Sequence, residues 1–265
     1  MERGSKMTRP IRNRVKTKAE QESLRQSGGI LATVLRRVSS QLAAGQTTHE
    51  LDVLARHELK ALGGKSPFLG YVIDSGVQPF PGVLCVSVND EVVHGVPSRR
   101  ELVQGDVVGL DFGVDYQGMI TDGAITVVVG GLATSSVERL LTATSQALNN
   151  GIAQVKAGAR VGDISAAIEQ RLRRDSLGIV RELSGHGVGD SIHEEPTILN
   201  YGRAGTGMRL EAGMSLAIEP MATLGDRRIK IDADGWTIRT ADGSIAAQFE
   251  HSVLVTEDGC EILTR

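Results

Sequence analysis

The sequence contains few aromatic residues. Its 265 residues include four Phe, three Tyr and one Trp, which is 3% of the chain. They fall in two windows, the first holding Phe68, Tyr71, Phe80, Phe112 and Tyr116 and the second holding Tyr201, Trp236 and Phe249. The core is therefore predicted to be mainly aliphatic, and the clustered rings are expected to mark an apolar site.

Cysteine and long apolar runs are also scarce. Cys85 and Cys260 allow at most one disulfide and exclude a four-cysteine zinc site, which favours a reducing compartment. No apolar run reaches the roughly 20 residues of a membrane span, and nothing after Met1 resembles a secretion signal. We therefore expect a cytoplasmic protein that does not span a membrane.

The net charge of −3 excludes a general nucleic-acid binder, because phosphate neutralisation requires a cationic surface. Positive charge is nevertheless concentrated in residues 1–18, where the basic residues are Arg3, Lys6, Arg9, Arg12, Arg14, Lys16 and Lys18, against the single acid Glu2. We interpret residues 1–18 as a flexible basic arm and residues 19–265 as one catalytic domain. Contact of the arm with ribosomal RNA is the alternative interpretation.

Hydrophobic spacing predicts four helices, two at the start of the domain and two near its middle. One helix is expected from about Lys18 until Gly45, and a second after an N-cap at Thr48. Two more are expected over 136–154 and 161–173. Strands are predicted over 83–88, 91–94, 107–129 as a hairpin, 215–219, 236–239 and 245–255. This order predicts an α/β or α+β domain.

The hairpin carries two aspartates. If Asp115–Gly118 forms its turn, Asp111 lies directly opposite Asp122 with Cβ atoms about 5 Å apart. Two such carboxylates need a cation between them or a shared proton. The structural alternative is an ordinary turn at Asp122 and an edge charge at Asp111.

Further acids and an imidazole favour a metal site. Glu219 and Glu250 each interrupt a strand-like apolar segment, where a charge is costly unless it is paired or bound to metal. His186 lies in a Gly-His-Gly-Val-Gly segment that suits close backbone approach. Four carboxylates with one imidazole suit two divalent metals that activate water for hydrolysis. A G-x-S-x-G serine hydrolase motif and an H-E-x-x-H zinc helix are both lacking.

Several motifs in order resemble those of the type I methionine aminopeptidases. They are the run from Cys85 to Pro97, Asp111 with Asp122, the segments Gly185–Gly189 and His193–Pro196, Ile218–Met221, and Ala247–His251. The resemblance covers about Ala19 to the C-terminus. It implies the α+β pita-bread (creatinase/aminopeptidase-like) fold, with two pseudo-symmetric αβ halves around a dinuclear metal site. The activity implied is removal of the initiator methionine from nascent chains whose second residue is small.

The resemblance also implies roles for individual residues. Asp122 and Glu250 would bridge the two metals, Asp111 would complete one, and His186 and Glu219 would complete the other. Glu219 would also accept a proton from the attacking water. Of the outer histidines, His193 would stabilise the oxyanion and His94 would contact the scissile amide nitrogen. The site would hold two divalent metal ions, and Co, Mn, Fe and Zn are the candidates. The protein is expected to be a monomer.

The implied methionine pocket contains Tyr71, Phe80, Cys85 and Trp236, with His94 and His193 also contacting substrate. Here the family's short Gly-Tyr segment is lengthened by an insertion at Val72–Gln78, and Ile192 stands where an aromatic residue is usual. Two alternatives are an X-Pro aminopeptidase or prolidase of the same fold, and a non-catalytic pita-bread binding module. The first usually carries a large extra domain, and the second has typically lost metal ligands.

Overall fold

The computed structural model describes residues 11–73 and 76–265. Its helices are α1 (Lys18–Ser40), α2 (Thr48–Ala61), α3 (Ser135–Ile152) and α4 (Val161–Arg174), with a 3₁₀ turn at Val129–Gly131. Its strands are β1 (Ile11–Arg12), β2 (Leu84–Val88), β3 (Glu91–Val93), β4 (Val107–Tyr116), β5 (Met119–Val128), β6 (Gly178–Ile179), β7 (Ser184–Gly187), β8 (Glu194–Leu199), β9 (Ser215–Ile218), β10 (Met221–Thr223), β11 (Ile229–Ile231), β12 (Ile238–Thr240), β13 (Ala246–Gln248), β14 (Glu250–Val255) and β15 (Cys260–Ile262). In these ranges no helix is both long and apolar enough to cross a membrane.

The first two helices begin with the same N-terminal capping motif. Thr17 caps α1 and Thr47 caps α2, and in each case a Glu three residues later bonds back to the backbone of the cap. The N-cap of α2 is thus Thr47, one residue before the predicted Thr48. The side chains of Thr47 and Thr48 can each accept a backbone hydrogen bond. Only Thr47 is followed three residues later by a glutamate, which is Glu50.

Nine strands form one large sheet. Eight of them lie in the order β1-β8-β7-β9-β14-β5-β4-β2, and β15 pairs with β14. Two three-stranded sheets, β13-β10-β6 and β11-β12-β3, accompany it. The predicted strand 245–255 is divided at Phe249, so that β13 lies in a small sheet and β14 in the large one. This division places Glu250 at the first position of a central strand.

The hairpin register differs from the predicted one. Tyr116 pairs with Met119, so the loop contains only Gln117 and Gly118. Both loop residues have positive φ, at 53° and 82°, which is the backbone of a type I′ turn. Asp111 is consequently not opposite Asp122 in the ladder. The two remain on the same face, however, because the shift of register is an even number of residues.

Two hydrophobic clusters lie under the two helix pairs. Helices α1 and α2 pack on β2 and β4 through residues that include Leu31, Leu51 and Phe112. Helices α3 and α4 pack on β8, β9 and β14 through residues that include Leu140 and Ile168. Each half of the large sheet therefore has its own helical cover.

The structure also describes part of the basic arm. β1 pairs in parallel with β8, and the Asn13 side-chain amide donates to the Ser215 carbonyl oxygen at 2.5 Å. Lys16 is 1% exposed, whereas a flexible arm would leave it in solvent. Asn13 and Lys16 thus differ from the expectation of a solvated arm, whereas Arg14, Val15, Thr17 and Lys18 are exposed. Residues 1–10 of the predicted arm lie outside the described residues.

Candidate metal centre

Five neighbouring strands each supply one polar side chain to a single cavity. In sheet order, His186 comes from β7, Glu219 from the residue after β9, Glu250 from β14, Asp122 from β5 and Asp111 from β4. All five line a cavity of about 230 Å³. Apart from the β4–β5 hairpin, these strands are far apart in sequence, so the sheet order brings the five side chains together.

The ligand atoms in this cavity are close to one another. One ligand atom each from Asp122, His186 and Glu250 lies within 4.8 Å of the others. His186 Nε2 lies 3.5 Å from Glu219 Oε1. Asp111 lines the same cavity as these residues. These spacings are compatible with oxygen and nitrogen atoms that surround cations.

Burial makes the carboxyl groups difficult to ionise. Asp111, Asp122 and Glu250 are at most 7% exposed, and the Glu219 side chain is 12% exposed. Burial raises the pKa of Asp111 to about 7. For the other three, burial together with the neighbouring carboxyl groups raises the pKa well above the ordinary value. Such a cluster requires compensating positive charge to be ionised at neutral pH.

The tautomer and the neutral charge of the His186 imidazole suit a metal ligand. Its Nδ1 lies 2.9 Å from the Gly187 carbonyl oxygen, which can only accept, so we assign the proton to Nδ1. The lone pair of Nε2 then faces the carboxyl cluster. Burial lowers the pKa of His186 to about 3, which keeps the ring neutral. A fixed, neutral imidazole of this kind is the usual histidine ligand of a metal.

Among the described residues, some buried carboxylate oxygens lack a hydrogen-bond partner. The two that line the cavity are Asp111 Oδ1 and Glu250 Oε1, and a third, Asp175 Oδ2, lies outside it. A buried acceptor without a hydrogen bond is costly, so the two oxygens in the cavity indicate that another group belongs there. The donor set, with four carboxylates and one imidazole, fits divalent cations of the hard or borderline class. The residues present therefore fit a metal centre.

Gln248 is a site residue that the sequence analysis did not single out. Its Nε2 donates to Glu219 Oε2 at 3.1 Å. Gln248 is itself held through Thr126, whose hydroxyl donates to the Gln248 carbonyl oxygen at 2.6 Å. The only sequence signal was its place in the Ala247–His251 motif, two residues before Glu250.

The two outer histidines lie on the walls of the same cavity. The rings of His186 and His193 have centroids 4.6 Å apart, and the His94 ring lies edge-on to Trp236 at 6.4 Å. His94 has a φ of 58°, an uncommon conformation for a residue other than glycine and one that is often found at functional sites. Both histidines therefore line the cavity that holds the carboxyl cluster.

Tyr71 orients the ring of His193. The Tyr71 hydroxyl oxygen lies 3.0 Å from His193 Nδ1. Burial raises the pKa of Tyr71, so the phenol stays protonated and is able to donate this bond. With Nδ1 accepting, we assign the His193 proton to Nε2, where it is available to a substrate oxygen.

The aromatic residues cluster where the sequence analysis expects an apolar site. Phe80, Cys85 and Trp236 form a buried hydrophobic group, and the Phe80 and Trp236 rings meet edge to face at 5.1 Å. Phe68 and Tyr71 pack against that group. Four of the eight aromatic residues thus line one cavity beside the carboxyl cluster. Ile192, which stands where an aromatic residue is usual in the family, and Ile73 of the insertion line it as well.

The insertion at 72–78 leaves Tyr71 and Phe80 facing the cavity. The Phe80 N–H donates to the Tyr71 carbonyl oxygen at 2.9 Å, and the Gly70 N–H donates to the Phe80 carbonyl oxygen at 2.9 Å. These two bonds close the inserted segment as a loop at its base. At the last residue of the insertion, Trp236 Nε1 donates to the Gln78 carbonyl oxygen at 2.7 Å. Positions 74 and 75 of the loop lie outside the described residues.

Comparison with known proteins identifies the family. The model of metallopeptidase family M24 matches residues 22–257, which is most of the chain. The chain belongs to metallopeptidase family M24. Among M24 relatives, the methionine aminopeptidase of Aquifex aeolicus is 41% identical over 248 residues, covering 92% of this chain and 96% of that protein. Within M24, the chain therefore belongs with the methionine aminopeptidases.

Solved M24 structures give the same result. The crystal structure of the methionine aminopeptidase from Thermotoga maritima has a TM-score of 0.91 and 40% identity, covering 96% of this chain and 99% of that one. The prolidase from Pyrococcus furiosus has a TM-score of 0.76 and 22% identity, and the match covers 65% of that chain. The prolidase likeness shows the common fold alone. The predicted pita-bread fold is thus confirmed, and the X-Pro alternative is not favoured.

Proposed function

We propose that this protein hydrolyses the peptide bond after an N-terminal methionine, with two divalent metals held by Asp111, Asp122, His186, Glu219 and Glu250. One observation carries the proposal, namely that five neighbouring strands converge on this ligand set beside a pocket walled by aromatic rings and a thiol. A thioether side chain suits such a wall, since sulfur contacts with aromatic edges stabilise by about 0.3–1.5 kcal/mol each.

The proposed chemistry divides between the metals and the chain. Divalent ions in such a site polarise the scissile carbonyl and lower the pKa of water. By the family resemblance, Asp122 and Glu250 would be the ligands shared by the two metals, and they come from the adjacent strands β5 and β14. Glu219 is the proposed base that accepts a proton from water. Gln248 steadies Glu219 for that role by donating to its Oε2.

The remaining proposed roles concern the substrate. His193, whose Nε2 is assigned the proton, donates to the oxyanion that develops on the scissile carbonyl. His94 contacts the scissile amide nitrogen. Tyr71, Phe80, Cys85 and Trp236 enclose the methionine side chain.

Peptide assays test the proposed activity. Purified protein reconstituted with each of Mn, Fe, Co and Zn is given a Met-Ala-Ser peptide and, separately, an X-Pro peptide of the same length. The expected result is release of free methionine from the first peptide and no cleavage of the second. Cleavage of the X-Pro peptide alone would instead support a prolidase-type activity. No cleavage of either peptide with any of the four metals would contradict the proposal.

Several finer points belong to the same proposal. Oxygen-rich ligands with one imidazole suit Mn, Fe, Co or Zn, and metal analysis after anaerobic purification would identify the resident ion. The proposed substrates are nascent polypeptides with a small second residue, encountered in the cytoplasm by a monomeric enzyme. Residues 1–18 are proposed as a basic arm before one catalytic domain, and contact of this arm with ribosomes is testable by salt-dependent co-sedimentation.

A further inference from the structure

Lys16 is a fully buried lysine in the segment before α1. Its side chain is 0% exposed. A buried ammonium group is costly unless it is paired, and Lys16 Nζ lies 2.9 Å from Asp190 Oδ2 and 3.3 Å from Glu194 Oε2. Both acids belong to the turn that carries His193. Lys16 is therefore the cation at the centre of that turn.

Glu194 connects Lys16 to the backbone of the turn. While its Oε2 binds Lys16, its Oε1 accepts the N–H groups of Asp190 at 2.6 Å and Ser191 at 2.9 Å. Gly189 shows how closely the turn surrounds the lysine, since a Cβ atom there would lie 2.5 Å from Lys16 Cε. Any side chain at 189 would thus displace Lys16.

The segment that carries Lys16 is fixed to the large sheet. The Lys16 N–H donates to the Gly213 carbonyl oxygen at 2.8 Å, next to the entry of β9. Three residues earlier, the Asn13 N–H donates to the Glu195 carbonyl oxygen at 3.2 Å, and its side chain donates to Ser215. The ammonium group is consequently fixed relative to the strands that carry His186 and Glu219.

We propose that Lys16 is a positioning residue for His193. It fixes the 189–194 turn and thereby places His193 Nε2 where a substrate oxyanion develops, while Tyr71 holds Nδ1 on the other side of the ring. The inference rests on the oxyanion role given to His193 under the proposed function. Placement matters because a displacement of about 1 Å in a reacting group can lower a rate by about a hundredfold.

The first experiment separates placement from binding. In Lys16→Met/Glu194→Gln both buried charges are removed together, and the Gln oxygen can still accept the Asp190 and Ser191 N–H groups. We expect kcat to fall by about tenfold or more, with KM and metal content unchanged within about twofold. Arg14→Gln is the matched control, because Arg14 also binds Asp190 but is largely exposed and does not contact Glu194. Its kcat should stay at the wild-type value.

A double-mutant cycle with His193→Ala tests whether Lys16 acts through His193. If it does, Lys16→Met/Glu194→Gln lowers kcat by less than about twofold in the His193→Ala background. An equal loss of kcat in both backgrounds would overturn the inference, because it would show a general structural effect. If His193→Ala alone leaves kcat unchanged, the oxyanion role fails, and the positioning role fails with it.

A spectroscopic readout does not depend on activity. In protein labelled with ¹⁵N-histidine, the His193 imidazole resonance is assigned by its loss in His193→Ala. We expect it to shift or broaden in Lys16→Met/Glu194→Gln, while those of His49 and His57 on α2 stay in place. An unchanged His193 resonance would overturn the inference, even in a protein that released no methionine.

Discussion

Asp111 and Asp122 are diagonal neighbours across the β4–β5 ladder, because Asp111 pairs with Ala124 and Asp122 pairs with Gly113. Their side chains share one face of the sheet. Residues at diagonal positions of such a ladder lie about 7–8 Å apart. This distance is longer than the distance between residues directly opposite each other. Both carboxyl groups line the same cavity.

Removal of one carboxylate should release metal. We expect Asp111→Ala and Glu250→Ala each to weaken metal binding by at least about a hundredfold, since even supporting residues of metal sites contribute tenfold to a hundredfold. Activity should be lost in parallel. Metal analysis after gel filtration measures the first effect, and Glu195→Gln, which changes an exposed acid, is the control. Retention of two tightly bound metals in either Ala variant would show that the ligand set is wrong.

His193→Ala should separate catalysis from metal binding. Loss of one donor to a developing oxyanion typically lowers kcat by about a hundredfold to a thousandfold. We expect a loss of this size with metal content unchanged, because the ring of His193 is held by Tyr71 and is not part of the ligand set. Steady-state kinetics and metal analysis of the same sample provide the check. Loss of metal in this variant would place His193 among the ligands.

Phe80→Leu should weaken recognition of the methionine side chain. Phe80 is 2% exposed and forms the edge-to-face contact with Trp236, so a smaller residue leaves a gap in the pocket wall. Changes of this size in an apolar pocket alter discrimination by about 1–3 kcal/mol, or about tenfold to two hundredfold. We expect kcat/KM for a Met-Ala-Ser peptide to fall within this range while metal content stays constant. An unchanged kcat/KM would remove Phe80 from the pocket.

The buried carboxyl groups should make the metal-free protein less stable as pH rises. In the unfolded chain they titrate near pH 4, whereas in the folded protein the pKa of Asp111 is about 7 and the other three are also raised. Between these values the folded state holds more protons than the unfolded state. The free energy of unfolding contributed by these groups therefore falls from about pH 4 through pH 7.

The buried histidines act in the opposite direction over part of this range. Burial lowers the pKa of His186 to about 3 and of His94 to about 4, so below about pH 6.5 the unfolded chain holds their protons and stability rises with pH. Burial also lowers the pKa of His193, so three histidines of the cavity oppose the four carboxyl groups, and above about pH 6.5 the carboxyl groups act alone. A net fall in stability with pH is therefore expected from the site.

Added metal should reverse this pH dependence. Cations favour the ionised carboxylates, so metal binding releases protons and strengthens with pH. We expect the increase in Tm caused by saturating Mn²⁺ to grow from pH 5.5 to pH 8, with a stabilisation of about 4 kcal/mol when metal exceeds Kd about a thousandfold. Thermal scans of chelator-treated protein with and without metal measure this increase. An increase that is the same at all pH values would contradict the titration of the cluster.

Local features of the fold were predictable, while long-range pairing was not. Apolar periodicity predicted the helices to within a few residues, and the motifs identified the five candidate ligands. The sequence did not predict that β14 lies between β9 and β5, because strand neighbours are set by contacts far apart in the chain. The hairpin register was wrong because Gln117 adopts positive φ, which is uncommon for glutamine and leaves no local signal.

The burial of Lys16 was not predictable from the sequence either. A run of basic residues at a terminus usually indicates a solvated segment, and the partners Asp190 and Glu194 lie more than 170 residues away. The aromatic pocket shows the opposite case. Rings that are rare in the sequence still cluster around one cavity, so the composition located that wall before any contact was known.

Metal-dependent methionine release is the most direct test of the account. Chelator-treated protein is titrated with Mn²⁺ or Co²⁺ while free methionine from a Met-Ala-Ser peptide is quantified. The account predicts no release without metal and full release near about two equivalents of metal per chain, as expected for a dinuclear site. Release that persists in fully metal-free protein, or no release at any ratio with Mn, Fe, Co or Zn, would contradict it.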